Sequence, residues 1–153
     1  MRSQRHQWHN WQQYQAVHDN KIGTYLGHFI LEDQVERVQT PGSVIWAGIL
    51  YCADSLEIKV DKRQEVRIRA GRVEVRTTDY TYHVYQRVSP NRVRNLLRYD
   101  NTHPHPNHPD GHHKHEYDAR GRDRVRHVGE DGWPTLGDVI DEVHGWWLVN
   151  VRR

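Results

Sequence analysis

The residues best suited to chemistry crowd into one stretch of the chain, Arg98-Tyr99-Asp100-Asn101-Thr102-His103-Pro104-His105-Pro106-Asn107-His108-Pro109-Asp110-Gly111-His112-His113-Lys114-His115. Six of the protein's 13 histidines lie between His103 and His115. Solubility alone would not select histidine over lysine or glutamate. An imidazole offers a nitrogen that exchanges a proton or binds a metal near neutral pH. Two chemistries fit. The first is acid–base cleavage of RNA, which carries its own nucleophile in the 2′-hydroxyl and needs only a base, an acid and a cation. Each positioned proton transfer contributes roughly 10²–10⁴-fold in rate, and the cation steadies the developing charge. If His112 to His115 is extended, His113 and His115 share a face and Lys114 points away. Arg98 is then the candidate cation, and Asp100 can orient an imidazole. This route needs no cofactor.

The second chemistry is metal binding. His103 with His105, or His113 with His115, forms a His-x-His pair on an extended chain. His112 is a further candidate ligand, and Asp100 or Asp110 could add a carboxylate. Imidazole with carboxylate suits zinc and related divalent transition metals. The protein would then be a non-enzymatic metal-responsive module. Against both stands a solvated Pro/His-rich loop without chemistry. That reading suits His103 to His108 better than Arg98, Asp100, His113 and His115, which strands should hold at the loop's two ends.

The elements that position these groups follow from periodicity. Leu56, Ile58 and Val60 alternate with polar residues, as do Val66 and Ile68, Val73 and Val75, and Tyr80, Tyr82 and Val84. A two-residue turn at Ala70-Gly71 sets Ile68 opposite Val73 and Val66 opposite Val75. The same register sets Arg67 against Glu74 and Glu65 against Arg76, with the apolar pairs on the buried side. Val44 to Tyr51 and Val93 to Tyr99 read as further strands. Pro104, Pro106 and Pro109 exclude a ladder between Asn101 and Gly111. His112 to Tyr117 re-enters the sheet, and Arg120 to Arg126 reads as solvent-facing. Thr135 with Asp138 forms a capping box, followed by Leu136, Val139, Ile140, Val143 and Trp147 on one helical face. The predicted fold is α+β: an antiparallel β-meander covered on one face by a C-terminal amphipathic helix.

Residues 1–42 read as an N-terminal extension, with a weak helical signal in Trp8, Trp11, Tyr14 and Val17. Residues 43–153 read as one domain carrying the histidine-rich loop at 100–115. The apolar share is only 35% and the mean hydropathy −1.00, so the core must be thin. No run of residues is apolar enough to span a membrane. The polar start and the lone Cys52 point to the cytoplasm. Net charge is +2, with lysine only at positions 21, 59, 62 and 114. The arginine bias suits phosphate, which makes Arg67, Arg69 and Lys114 candidate nucleic-acid contacts. The pairing with Glu65 and Glu74 neutralises half of that strand charge. Tyr80, Tyr82 and Tyr85 read as packing residues before stacking platforms. Of the adjacent Trp146 and Trp147, one should face solvent or a partner.

Arg98-Tyr99-Asp100-Asn101, the His/Pro-rich loop, His112-His113-Lys114-His115 and the C-terminal helix together resemble the TumE-type toxins of prokaryotic toxin–antitoxin modules. The resemblance spans roughly Ile45 to Trp147. It implies a cytoplasmic toxin encoded beside a small DNA-binding antitoxin, its cognate partner, and marks Arg98, Asp100, Asn101, His113 and His115 as characteristic positions. Joined to the residue chemistry, the expectation is a metal-independent ribonuclease acting on RNA. A homo-oligomer is left open.

Overall fold

In the computed structural model, residues 7–102 and 111–151 are described. Two strands dominate it, β5 (Leu56–Arg69) and β6 (Arg72–Ser89), and they are joined at the predicted turn. Ala70 and Gly71 have φ of 52° and 74°. Both central residues being left-handed gives the turn whose twist matches a hairpin. The expected register holds, with Val66 opposite Val75, Ile68 opposite Val73, Arg67 opposite Glu74 and Glu65 opposite Arg76. Arg67 Nε donates to Glu74 Oε1 at 2.8 Å, and Arg76 Nε donates to Glu65 Oε1 at 2.8 Å. The expected burial of the apolar pair at the tip does not hold, because Ile68 is 76% exposed and Val73 40%. A strand of 14 residues runs about 46 Å, whereas a helix of 15 residues is about 22 Å long. The hairpin therefore outreaches anything that packs on it.

The sheet is antiparallel throughout. β4 (Ser43–Cys52) pairs with β5, β7 (Arg92–Asp100) with β6, β8 (His113–Tyr117) with β7, and β9 (Asp123–His127) with β8. The short strands β2 (Ile30–Asp33) and β3 (Glu36–Gln39) both pair with β4. The two-residue β1 (His9–Asn10) pairs with β6. The segment ahead of Ser43 thus contributes three short strands to the same sheet as the rest. Gly48 allows this: a Cβ there would stand 2.1 Å from the carbonyl oxygen of Gln34, in the link between β2 and β3. Arg120 to Arg126 is solvent-facing as expected, exposed except at half-buried Val125, but part of it also forms the strand β9, which the sequence did not announce. Its single apolar residue, Val125, is too little for a periodicity argument, and β8 supplies the partner that holds it.

Helix α1 (Trp11–Tyr25) is capped by Asn10, whose side chain accepts from Gln13 N. Trp11 and Tyr14 pack edge-on against Trp46 at 5.9 Å, while Val17 is exposed. After a short α2 (Gly129–Gly132), α3 (Leu136–Asn150) begins at the predicted capping box. Thr135 N donates to Asp138 Oδ2 at 2.9 Å, and Asp138 N donates to Thr135 Oγ1 at 3.1 Å. Its predicted apolar face, Leu136, Val139, Ile140, Val143 and Trp147, lies in one buried cluster with Leu56, Ile58, Val60, Tyr80, Tyr82 and Val84 of the sheet. Cys52 is buried as expected, and Trp147 is the buried member of the tryptophan pair. Among the described residues no helix is long and apolar enough to cross a membrane.

Candidate active site

The β7–β8 hairpin decides where the chemistry stands. Its register pairs Asp100 with His113, Tyr99 with Lys114 and Arg98 with His115. Side chains alternate between the faces of a strand. Tyr99 Oη donates to Glu142 Oε1 at 2.7 Å, and Lys114 Nζ donates to Glu142 Oε2 at 2.6 Å. Glu142 belongs to α3, so Tyr99 and Lys114 mark the helix side. Arg98, Asp100, His113 and His115 therefore stand together on the opposite side.

Their contacts form a chain. Asp123 of β9 accepts from His115 Nδ1 at 2.9 Å. On the other side of the ring, Nε2 lies 3.1 Å from Arg98 Nη2 and 3.5 Å from Asp100 Oδ2. A guanidinium can only donate. The contacts to Asp123 and Arg98 fit the tautomer with its proton on Nδ1 and its lone pair on Nε2. Arg98 Nε in turn donates to Asp100 Oδ2 at 3.1 Å. His113 Nδ1 is 2.7 Å from the carbonyl oxygen of Gly111, which can only accept, so here too Nε2 is the basic nitrogen.

Burial is uneven. Asp100, His113 and His115 are buried, while the side chains of Arg98 and Asp123 are 31% and 46% exposed. Among the described residues Asp100 Oδ1, a buried carboxylate oxygen, has no hydrogen-bond partner, an arrangement that folded proteins seldom keep without a use. The hydrogen bond from His115 holds the Asp123 carboxyl below its ordinary range. His83 of β6 stands opposite Arg98, its Nε2 2.8 Å from Asn95 Oδ1. Burial lowers its pKa, and Arg98, Lys59 and His115 add to the shift against the opposing bond to Asn95.

The four residues expected to act together are thus brought together, with one change of role. The carboxylate closest to an imidazole is Asp123, not Asp100, which instead takes Arg98. Asp123 and His83 were not singled out from sequence. Arg122, Arg124 and Arg126 alternate with Asp123, Val125 and His127, and that period of two was the signal available. Lys114, the other candidate nucleic-acid contact, stands on the helix side, buried against Tyr99 and Glu142. Arg67 and Arg69 lie near the hairpin tip, with Arg67 over the Trp8 ring at 4.3 Å. Arg67 is six residues along β5 from Asp61, which shares a row with Asp100 through Thr81. That is about 20 Å of strand.

Of the candidate metal ligands, His112 is 2.9 Å from Tyr80 Oη and stacks on Trp133 at 5.2 Å, apart from His113. His103 and His105 lie outside the described residues. Among the described residues no three His, Cys, Asp or Glu side chains gather as a metal site.

A family model described as Toxin TumE matches residues 27–147. No curated protein and no solved structure matches the chain.

Proposed function

The chain belongs to the TumE toxin family, and on that premise we propose that it is the toxin of a toxin–antitoxin pair, acting in the cytoplasm as a metal-independent ribonuclease held in check by a cognate antitoxin. The observation that carries the ribonuclease reading is the chain Asp123–His115–Arg98–Asp100 with His113 beside it. His115, its ring oriented by the carboxylate on Nδ1, takes the proton of the 2′-hydroxyl at Nε2. That oxygen attacks phosphorus, and the bond from phosphorus to the 5′-oxygen breaks. Protonated His113 supplies a proton from Nε2 to the leaving oxygen. Arg98 bonds the charged non-bridging oxygens, which rank among the best partners for a guanidinium. The products are a 2′,3′-cyclic phosphate and a 5′-hydroxyl. In this reading α3 is the amphipathic cover of one face of the sheet, and the chemistry uses the other.

The test is purified protein on labelled RNA with and without EDTA, with the product ends mapped. The expected outcome is EDTA-resistant cleavage leaving 5′-hydroxyl ends. His113→Ala and His115→Ala should each lower the rate roughly 10²–10⁴-fold with unchanged circular dichroism. Full cleavage by both variants, or activity that vanishes with EDTA and returns with zinc, would overturn the proposal. The second outcome would favour the metal reading.

A further inference from the structure

The cross-strand registers align more than the site itself. Lys59 of β5 stands opposite His83, His83 opposite Arg98, and Arg98 opposite His115. All four lie on the side away from the helices. Three inter-strand steps place the ends of this row about 14 Å apart. Lys59 is exposed, and among the described residues no carboxylate lies within ion-pairing distance of it.

The two flanking rows differ in kind. On one side runs Asp61, Thr81, Asp100 and His113, with Asp61 exposed. Asp61 repels a polyanion at its end of the row, while at the other end Asp100 is paired with Arg98 and His113 belongs to the candidate site. On the other side runs Tyr51, Glu57 and Tyr85. Arg87 Nε donates to Glu57 Oε2 at 2.8 Å and Tyr85 Oη donates to Glu57 Oε1 at 3.0 Å, so this row carries no unpaired charge. Tyr51 is half-buried and offers a ring.

We propose that single-stranded RNA binds on the side of the sheet away from the helices along the row Lys59–His83–Arg98–His115, with Lys59 binding a phosphate beyond the scissile one and Tyr51 stacking a base. Asp61 borders this path on one side, and Tyr51 receives a base on the other. Stacking on an aromatic ring is tolerant of sequence, while phosphate contacts confer salt dependence. The inference rests on the ribonuclease reading for the site at which the path ends.

Binding tests it without cleavage. A labelled 2′-deoxy oligonucleotide of about eight nucleotides, which lacks the attacking hydroxyl, is titrated against the full chain by fluorescence anisotropy over a salt series. Lys59→Glu should raise Kd roughly tenfold, and Lys59→Ala should reduce the salt slope by about 0.7, the value of one single-strand phosphate contact. Lys59→Arg should restore both. Asp61→Asn should tighten binding, a change of opposite sign that misfolding cannot produce. An unchanged Kd in Lys59→Glu, or weaker binding in Asp61→Asn, would overturn the path. If His113→Ala and His115→Ala both cleave normally while Lys59 still governs binding, the catalytic reading fails and the path survives.

Discussion

His115 is held by two groups that ask for the same tautomer. Asp123 needs a proton on Nδ1, and Arg98 needs a lone pair on Nε2. Asp123→Ala should therefore lower kcat by roughly 10²-fold or more in cleavage assays, because the ring loses the group that fixes its tautomer. Asp123→Asn keeps an acceptor for Nδ1 and should recover part of kcat. A second residue makes a prediction about stability. His18 packs on Trp46 with ring centroids 4.8 Å apart. Burial lowers its pKa to about 4, with Lys62 and Arg37 adding to the shift and Asp19 opposing it. Between that value and the ordinary 6.5, the unfolded chain binds the proton that the folded chain refuses. Stability is therefore lost as pH falls through this window, by about 1–3 kcal/mol for a partly exposed ring. Denaturant titrations from pH 7 to pH 4 should show the loss, and His18→Phe should remove most of it.

At the scale of elements, alternation sorts four consecutive residues of β8. His113 and His115 go to the chemical side, while Lys114 goes to the helix side and Glu116 follows it. Lys114 bonds Glu142, and burial, the largest influence on its pKa, is outweighed by the bonds to Glu142 and Tyr99. Lys114→Ala should cost about 1–3 kcal/mol in thermal or chemical denaturation while leaving oligonucleotide affinity unchanged. A lost affinity would return Lys114 to the binding surface. The capping box of α3 is independent of the site, so Thr135→Ala should cost about 1 kcal/mol without altering kcat. These two elements were not equally legible. A capping box is a local pattern within four consecutive residues, Thr135 to Asp138, whereas β9 has no apolar periodicity of its own and exists because β8 pairs with it. The turn before it, where Asp118 Oδ1 accepts from the backbone N–H of Arg120 and Arg122, is what brings Asp123 back to His115.

At the scale of the molecule, a long twisted sheet with two shorter helices leaves parts of its apolar pattern uncovered. Ile68 and Val75 sit in equivalent patterns, yet one is exposed and the other fully buried. Ile68→Thr should change stability by no more than about 0.5 kcal/mol, and Val75→Thr should cost about 1–3 kcal/mol. Equal losses in the two would mean that the hairpin tip is covered in solution. What the sequence determined by itself was whatever depends on near neighbours. That includes the β5–β6 register, through turn chemistry and paired charges, and the start of α3, through its cap. It also includes the sharing of one face by His113 and His115, through the period of two. What only the tertiary structure decided was which distant groups meet that face. Asp123, His83 and Lys59 reach it because strands pair across an antiparallel sheet, and cross-strand register depends on how the whole sheet packs, which no local window of residues contains.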